Sequence, residues 1–335
     1  MIIGKQSIQF DRAPYILEAS SVVGKKEGEG PLGKLFDRVE QDPMLGKDTW
    51  EEAESELQKI AAEGVLKKSG LTKADIRYIL AGDLLEQMTA TSFGLMDLEI
   101  PLFGLYGACS TMGEALSLGS MLISGGYGEY IMAVASSHYA GAEKQFRFPL
   151  DYGNQRPLAA SWTVTGSGAI ILSMKKGRAR ITGITTGKIV DFGMKDSMNM
   201  GACMAPAACD TIYQNFMDFN RRSEDYDKIV TGDLGYVGHD ILIHLMKEKG
   251  FDISKQHMDC GMLIFDQETQ DTHAGGSGCG CAAVTLCAHL LRQIEKGAWK
   301  RILYIPTGAL LSKVSFNEGR TVPGIAHAVV IEHVS

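Results

Sequence analysis

Residues 75–84 read DIRYILAGDL, and residues 225–234 read DYDKIVTGDL. Asp, Ile, Gly, Asp and Leu coincide at five of the ten positions, at an offset of 150 residues. The segments downstream of the two copies keep one order. The first copy leads to GACSTMGEALSLGSMLISGG (107–126), a small-residue turn opening a helix-like stretch in which Ala115, Leu116, Leu118, Met121 and Leu122 share a face. The second leads to GCGCAAVTLCAHLLRQIEKG (278–297), another small-residue turn before an apolar stretch. Each half then has a Gly-containing break and a β-like run, EYIMAVASSH (129–138) and KRILYIPTGA (300–309). Each closes on a further β-like run, GSGAIILS (166–173) and IAHAVVIE (325–332). The shared order reads as an internal duplication. Alternating strands and helices predict an α/β protein with mostly parallel, buried strands.

Elsewhere in the first half, Trp50, Ala53, Leu57, Ile60 or Ala61, and Val65 predict an amphipathic helix capped by Asp48 or Thr49. Residues 205–220 and 239–249 predict helices in the second half. The junction falls near the basic, Gly-containing stretch Lys175–Arg180, which divides the chain into halves 1–176 and 177–335.

The chain has 335 residues, 45% hydrophobic and 22% charged, enough to bury a large core. Its net charge is −7, which argues against nucleic acid as a main partner, since phosphate binding needs a concentrated positive field. The 7 cysteines are odd in number, and Cys203, Cys209 and Cys287 sit in apolar runs. Reduced thiols in a cytosol-like compartment are expected, not a disulfide scaffold. The opening residues carry charges throughout and lack the apolar centre of a signal peptide. The apolar stretch Cys281 to Leu291 is too short to cross a bilayer.

Cys109 is the sharpest chemical position. It follows an apolar run and precedes a helix, where free N–H groups and the helix dipole stabilise a thiolate, so a lowered pKa is expected. A small buried Cys in a tight turn is the alternative reading. KQHMDCG (255–261) places His257, Asp259 and Cys260 together, and His is the usual partner of a nucleophilic thiol. AGGSGCGC (274–281) is Gly-rich and opens a helix, so it can hold an anion or simply permit close packing. A zinc site from Cys279, Cys281, His257, Asp259 and Cys260 matches no common structural spacing, and no metal site is expected. In 136–157, Lys144, Arg147 and Arg156 suit a carboxylate, and Phe146, Phe148 and Tyr152 suit a flat ring; a surface loop packed on its own aromatics fits equally. The Met-rich run 194–210 reads as a packing surface or lid.

Two α/β halves, a Cys at a helix N-terminus in the first and a His loop in the second, together resemble the thiolase-like superfamily. The resemblance implies a duplicated five-layer αβαβα fold with two mixed sheets. It matches Cys109 to the acyl-carrying nucleophile and His257 to the family His. It also implies a homodimer paired through the strand before the nucleophile, here near Leu102–Tyr106. The sequence departs from the enzymes at the Gly-Asn turn of the second half. Gly276 stands where Asn is expected, and no Asn occurs between Asn220 and Asn317. Loss of one oxyanion donor costs about 10²–10³ in rate.

GPLGKLFD (30–37), LAGDLL (80–85), GACST (107–111), SSHYAGAEKQFRFPLDYG (136–153), TGSGA (165–169), MAPAACDTI (204–212), TGDLG (231–235), HMDCG (257–261), AGGSGCGC (274–281) and TGALLS (307–312) more narrowly resemble the stage V sporulation protein AD family. That resemblance implies a non-catalytic or degenerate member that binds dipicolinic acid, pyridine-2,6-dicarboxylate, and serves its uptake into and release from spores. Cys109, His257, Asp259, Arg147, Lys144 and Ser277 are the expected ligand-binding residues. No cofactor is expected, although calcium can accompany the ligand. The implied partners are membrane proteins of the same sporulation complex, with peripheral attachment to the spore inner membrane. The competing reading is an acyl-CoA condensing enzyme or acyltransferase, with Cys109 as nucleophile and His257 as base.

Overall fold

The computed structural model describes residues 1–146 and 155–334. Five strands build the first half: β1 Tyr15–Val23, β2 Tyr78–Gly82, β3 Leu102–Gly104, β4 Tyr130–Ser137 and β5 Gly166–Ser173. They lie in the order β1-β5-β4-β2-β3. Five more build the second: β6 Ala179–Thr185, β7 Lys228–Thr231, β8 His257–Asp259, β9 Arg301–Ile305 and β10 Ala328–Glu332. Their order is β6-β10-β9-β7-β8, the same arrangement with the same senses. The repeated runs at 75–84 and 225–234 thus supply equivalent strands, β2 and β7. A two-residue antiparallel pairing, Ala179↔Ile16 and Arg180↔Tyr15, joins the half-sheets edge to edge.

The strands are less parallel than expected. β5 runs antiparallel to both β1 and β4, and β10 antiparallel to both β6 and β9. Among these ten strands, β2 with β3 and β4, and β7 with β8 and β9, are the parallel pairs. The physical reason is that the strands whose sense reverses, β5 and β10, are covered on both faces. A run such as GSGAIILS is then uniformly small or apolar whatever its direction.

Alternation along the strands creates the layers. In β4, Met132 and Val134 face Leu57, Ala61 and Val65 of α1 (Trp50–Ser69). Ile131, Ala133 and Ala135 face the opposite way, into a central core with Met112 and Leu116 of α2 (Thr111–Ser124). In β9, Ile302 and Tyr304 enter that central core, while Leu303 and Ile305 meet an outer pair of helices. The layers therefore run helix, sheet, helix, sheet, helix. Thr49 caps α1 in a reciprocal box: Glu52 N donates to Thr49 Oγ1 at 3.2 Å and Thr49 N to Glu52 Oε2 at 3.1 Å.

Four other helices carry or flank the residues of the site. They are α3 (Tyr139–Phe146), α4 (Met200–Phe219), α5 (Gly235–Glu248) and α6 (Cys279–Thr285), which runs on through a π turn to Glu295. α4 starts five residues earlier than its apolar spacing predicts, because Asn199 accepts from Ala202 N and caps it there. Among the described residues no helix is long and apolar enough to cross a membrane.

Candidate functional site

Strand β3 leads into a tight turn, Ala108–Ser110, that places Cys109 just ahead of α2. Ala108 sits at φ 47°, a left-handed conformation that costs a non-glycine residue about 1–2 kcal/mol. Its surroundings hold it there. Ser110 Oγ donates to Gly107 O at 2.6 Å, Thr111 Oγ1 to Ala108 O at 2.7 Å, and the Cys279 thiol to Ala108 O at 2.9 Å. The strain aims Cys109 at the second half.

The expected lowering of the Cys109 pKa is overturned. Burial pushes the thiol well above its ordinary value, and the Asp233 carboxylate pushes it further. A backbone bond from Gly278 acts the other way and is outweighed. The helix start is present, but desolvation and a neighbouring negative charge prevail over it. Burial and the nearby Asp233 carboxyl both favour the neutral thiol over a standing thiolate.

Asp233 follows strand β7 and is fully buried. Its Oδ2 accepts from Ser277 Oγ at 2.8 Å and Gly278 N at 3.0 Å, and its Oδ1 from Thr307 Oγ1 at 2.7 Å. Burial raises the pKa of this carboxyl, and these donors oppose the rise. Gly278 is required at its place: φ is +104°, and a Cβ there would lie 2.6 Å from Ser137 Oγ.

Above Cys109 opens a cleft with about 600 Å³ of empty space, its mouth included. Tyr106, Phe146, Met200 and Leu311 supply apolar wall, and Thr163, Ser197 and Ser277 supply hydroxyls. Glu143 also reaches it. Among the described residues no Lys, Arg or His lines the cleft.

The expected residues divide sharply. Cys109 and Ser277 meet at the cleft, and Ser277 donates to Asp233 behind it. His257 and Asp259 do not line it. His257 lies on β8 with Nε2 2.9 Å from Thr231 Oγ1 and Nδ1 2.7 Å from His239 Nδ1. Asp259 accepts from Thr231 Oγ1 and from the backbone of Leu234, Gly235 and Gly261, which uses its carboxylate as a structural knot. The polar groups that sequence reading gives to the ligand thus bind the chain itself. Lys144 turns to Glu51, 2.8 Å away, and is absent from the lining. Arg147 lies outside the described residues, as do Phe148 and Tyr152. Arg156 holds Asp271 at 3.1 Å and lies over the Trp162 ring. Ser197 and Met200 of the Met-rich run do reach the cleft wall. All seven thiols are free, and the described residues contain no metal-holding group of three His, Cys, Asp or Glu.

Sequence reading misses Asp233. Its signal lies in the Gly-Asp-Leu step that closes both repeated runs. Asp83, its counterpart, accepts from Leu85 N at 2.8 Å, Thr91 N at 2.7 Å and Thr91 Oγ1 at 2.6 Å.

A duplicated five-layer architecture with a cysteine at the head of a central helix defines the thiolase-like class. Solved structures of that class share the fold. A tetronic acid condensing enzyme aligns with TM-score 0.60 at 14% identity, covering 95% of this chain and 99% of its own. The human mitochondrial 3-ketoacyl-CoA thiolase in complex with CoA aligns with TM-score 0.58 at 13% identity, over 98% and 100%. The 3-oxoacyl-(acyl carrier protein) synthase III of Pseudomonas aeruginosa PAO1 gives TM-score 0.58 at 13%, over 96% and 99%. The family described as Stage V sporulation protein AD (SpoVAD) matches residues 4–332. Stage V sporulation protein AD of Bacillus subtilis (strain 168) is 44% identical over 331 residues, covering 99% of this chain and 98% of that protein. The chain belongs to the stage V sporulation protein AD family.

Proposed function

We propose that the Cys109 cleft binds dipicolinic acid, alone or as its calcium complex, and that the chain supports uptake of this ligand into spores and its release. The observation that carries the reading is the burial of the Cys109 thiol on the cleft, with the buried Asp233 carboxyl nearby. An acyl-carrying cysteine works as a thiolate, usually with a His to take its proton. Here burial, with the Asp233 carboxyl adding to it, favours keeping the proton on sulfur. Gly276 in place of an Asn removes a further part of the acyl-transfer apparatus. A cavity built for thioester chemistry is left as a container.

The container suits a small flat acid. Tyr106 and Phe146 offer ring faces, and Ser277, Thr163 and Ser197 offer hydroxyls to carboxylate oxygens. Glu143 and Asp233 make a bare dianion unwelcome. A calcium complex, in which the cation cancels the two carboxylates, or the protonated acid, is favoured. Calcium here travels as cargo with the ligand.

Two further parts of the reading rest on family membership. The first is peripheral attachment to the spore inner membrane beside membrane proteins of one sporulation complex. The second is a homodimer. β3 is an edge strand with Leu102 and Phe103 exposed, and a second copy pairing there would cover it.

Calorimetric titration with dipicolinate, with and without calcium, tests the site. Cys109→Ala and Ser277→Ala should each weaken binding at least tenfold. Unchanged affinity in both moves the ligand elsewhere. Incubation with short acyl-CoA should leave the intact mass unaltered. A stable adduct on Cys109 with turnover would instead establish the acyltransferase.

A further inference from the structure

Behind the cleft, His257 and Asp259 belong to a continuous hydrogen-bonded chain that reaches the surface. His239 on α5 is half-buried; among the described residues its Nε2 has no protein partner, and it is not sealed from water. Its Nδ1 lies 2.7 Å from Nδ1 of His257. His257 Nε2 lies 2.9 Å from Thr231 Oγ1, which lies 2.6 Å from Asp259 Oδ2. The far end of the chain grips the cleft: Asp259 takes the backbone N–H of Leu234 at 2.9 Å and of Gly235 at 3.0 Å, the two residues directly after Asp233.

Counting protons fixes the direction of every bond. The Thr231 hydroxyl has one hydrogen. With Asp259 ionised, that hydrogen goes to Asp259 Oδ2, a distance fitting a charge-assisted O–H···O⁻ bond. Thr231 then accepts from His257 Nε2–H, and His257 Nδ1 accepts from His239 Nδ1–H. With Asp259 protonated, all three bonds reverse. Asp259 donates to Thr231, Thr231 to His257 Nε2, and His257 Nδ1–H to His239 Nδ1, leaving His239 with its hydrogen on Nε2. The two states differ by one proton, which enters at His239 Nε2. His239 passes its Nδ1 proton to His257, His257 its Nε2 proton to Thr231, and Thr231 its hydroxyl proton to Asp259. His257 ends neutral and no heavy atom need move.

We propose that His239, His257 and Thr231 form a relay that delivers a solvent proton to buried Asp259, and that the charge on Asp259 sets how the Asp233 turn is held and how readily the cleft accepts an anion. The link to anion binding rests on the dipicolinate reading of the cleft; the relay stands without it. Asp259 and the His pair act as positioning groups, since none touches the ligand space.

The surroundings suit the role. The titratable groups facing Asp259 are Asp233 after β7, Tyr236 on α5, Cys260 beside it, Cys281 on α6 and the His pair. Among the described residues no Lys or Arg is placed to lock it in the charged form. Burial, with Asp233 adding to it, raises Asp259 to about 6. Burial and His239 push His257 down to about 3, so it hands a proton on without keeping it. Protonation of Asp259 removes one negative charge close to the cleft, so anion affinity rises as pH falls through about 6.

Nitrogen-15 NMR of the full chain, labelled at histidine and without ligand, reads the relay directly. His257 should carry its hydrogen on Nε2 at pH 8 and on Nδ1 at pH 5, with the midpoint near 6 set by Asp259. Asp259→Asn presents a permanent amide donor to Thr231 and should fix His257 as the Nδ1–H tautomer at every pH. A His257 tautomer that does not change between pH 8 and 5 in the native chain overturns the relay, whether or not the variant folds. Calorimetry with dipicolinate at pH 5.5 and 7.5 tests the coupling, with about tenfold tighter binding at the lower pH, one unit of linked pKa. Asp259→Asn should abolish that difference. Switching tautomers with pH-independent affinity overturns the coupling. Switching tautomers without binding at either pH supports the relay and overturns the cleft reading.

Discussion

Asp233 Oδ2 receives the Ser277 hydroxyl at 2.8 Å, tying the turn after β7 to the segment that opens α6. The same carboxylate faces the Cys109 thiol. Three segments from both halves of the chain therefore converge on one buried carboxyl, and the character of the cleft derives from it.

The first consequence is an unreactive thiol. Native Cys109 should be alkylated by iodoacetamide at pH 8 at least tenfold more slowly than free cysteine, whose pKa is about 8.5. Asp233→Asn removes the charge that opposes the thiolate and should speed modification several-fold. Peptide mass analysis after brief labelling of the folded chain gives both rates. A fast native rate would contradict the assignment of the proton to sulfur.

Glu27 makes the stability pH-dependent. It is fully buried, accepts from Thr165 N at 2.9 Å, and burial raises its pKa from 4.5 to about 7. Between those values the native state binds more protons than the unfolded chain, so stability falls as pH rises through that window. The loss amounts to about 3 kcal/mol across it. Glu27→Gln should therefore be more stable than the native chain at pH 8, with the advantage largely gone at pH 5, read from urea midpoints. Equal midpoints at pH 8 would count against a raised Glu27.

Gly278 tolerates no side chain. Gly278→Ala combines an unfavourable φ with a contact at 2.6 Å and should cost about 2 kcal/mol or more. Thermal unfolding measures this. A melting temperature equal to that of the native chain would mean the turn relaxes freely.

Charge on the exposed edge should block pairing of copies. Phe103→Lys places a cation on β3, where sheet extension would bury it. Sedimentation should report a dimer for the native chain and a monomer for the variant. A dimer in both would place the interface elsewhere.

Much of the architecture is legible because duplication writes itself twice. Gly82-Asp83-Leu84 and Gly232-Asp233-Leu234 mark the same strand end in both halves. Strand sense is hidden, since GSGAIILS is buried on both faces. Within the site, Cys109 is conspicuous because chain position makes a helix start visible. His257 and Asp259 mislead, because adjacency in sequence says nothing of the face a short strand presents. Both look inward from β8 toward Thr231 on the neighbouring strand. Lys144 is equally opaque: its partner, Glu51, lies 93 residues away.

Asp83 and Asp233 occupy the same step of two copies of one unit, yet their fates differ. Asp83 is stoppered by its own neighbours, Leu85 and Thr91, whereas Asp233 is fed by distant segments and left beside a hollow. The molecule thus carries a built-in control experiment. Any behaviour shared by both aspartates belongs to the repeated unit, and only what distinguishes Asp233 reflects its place beside the cleft.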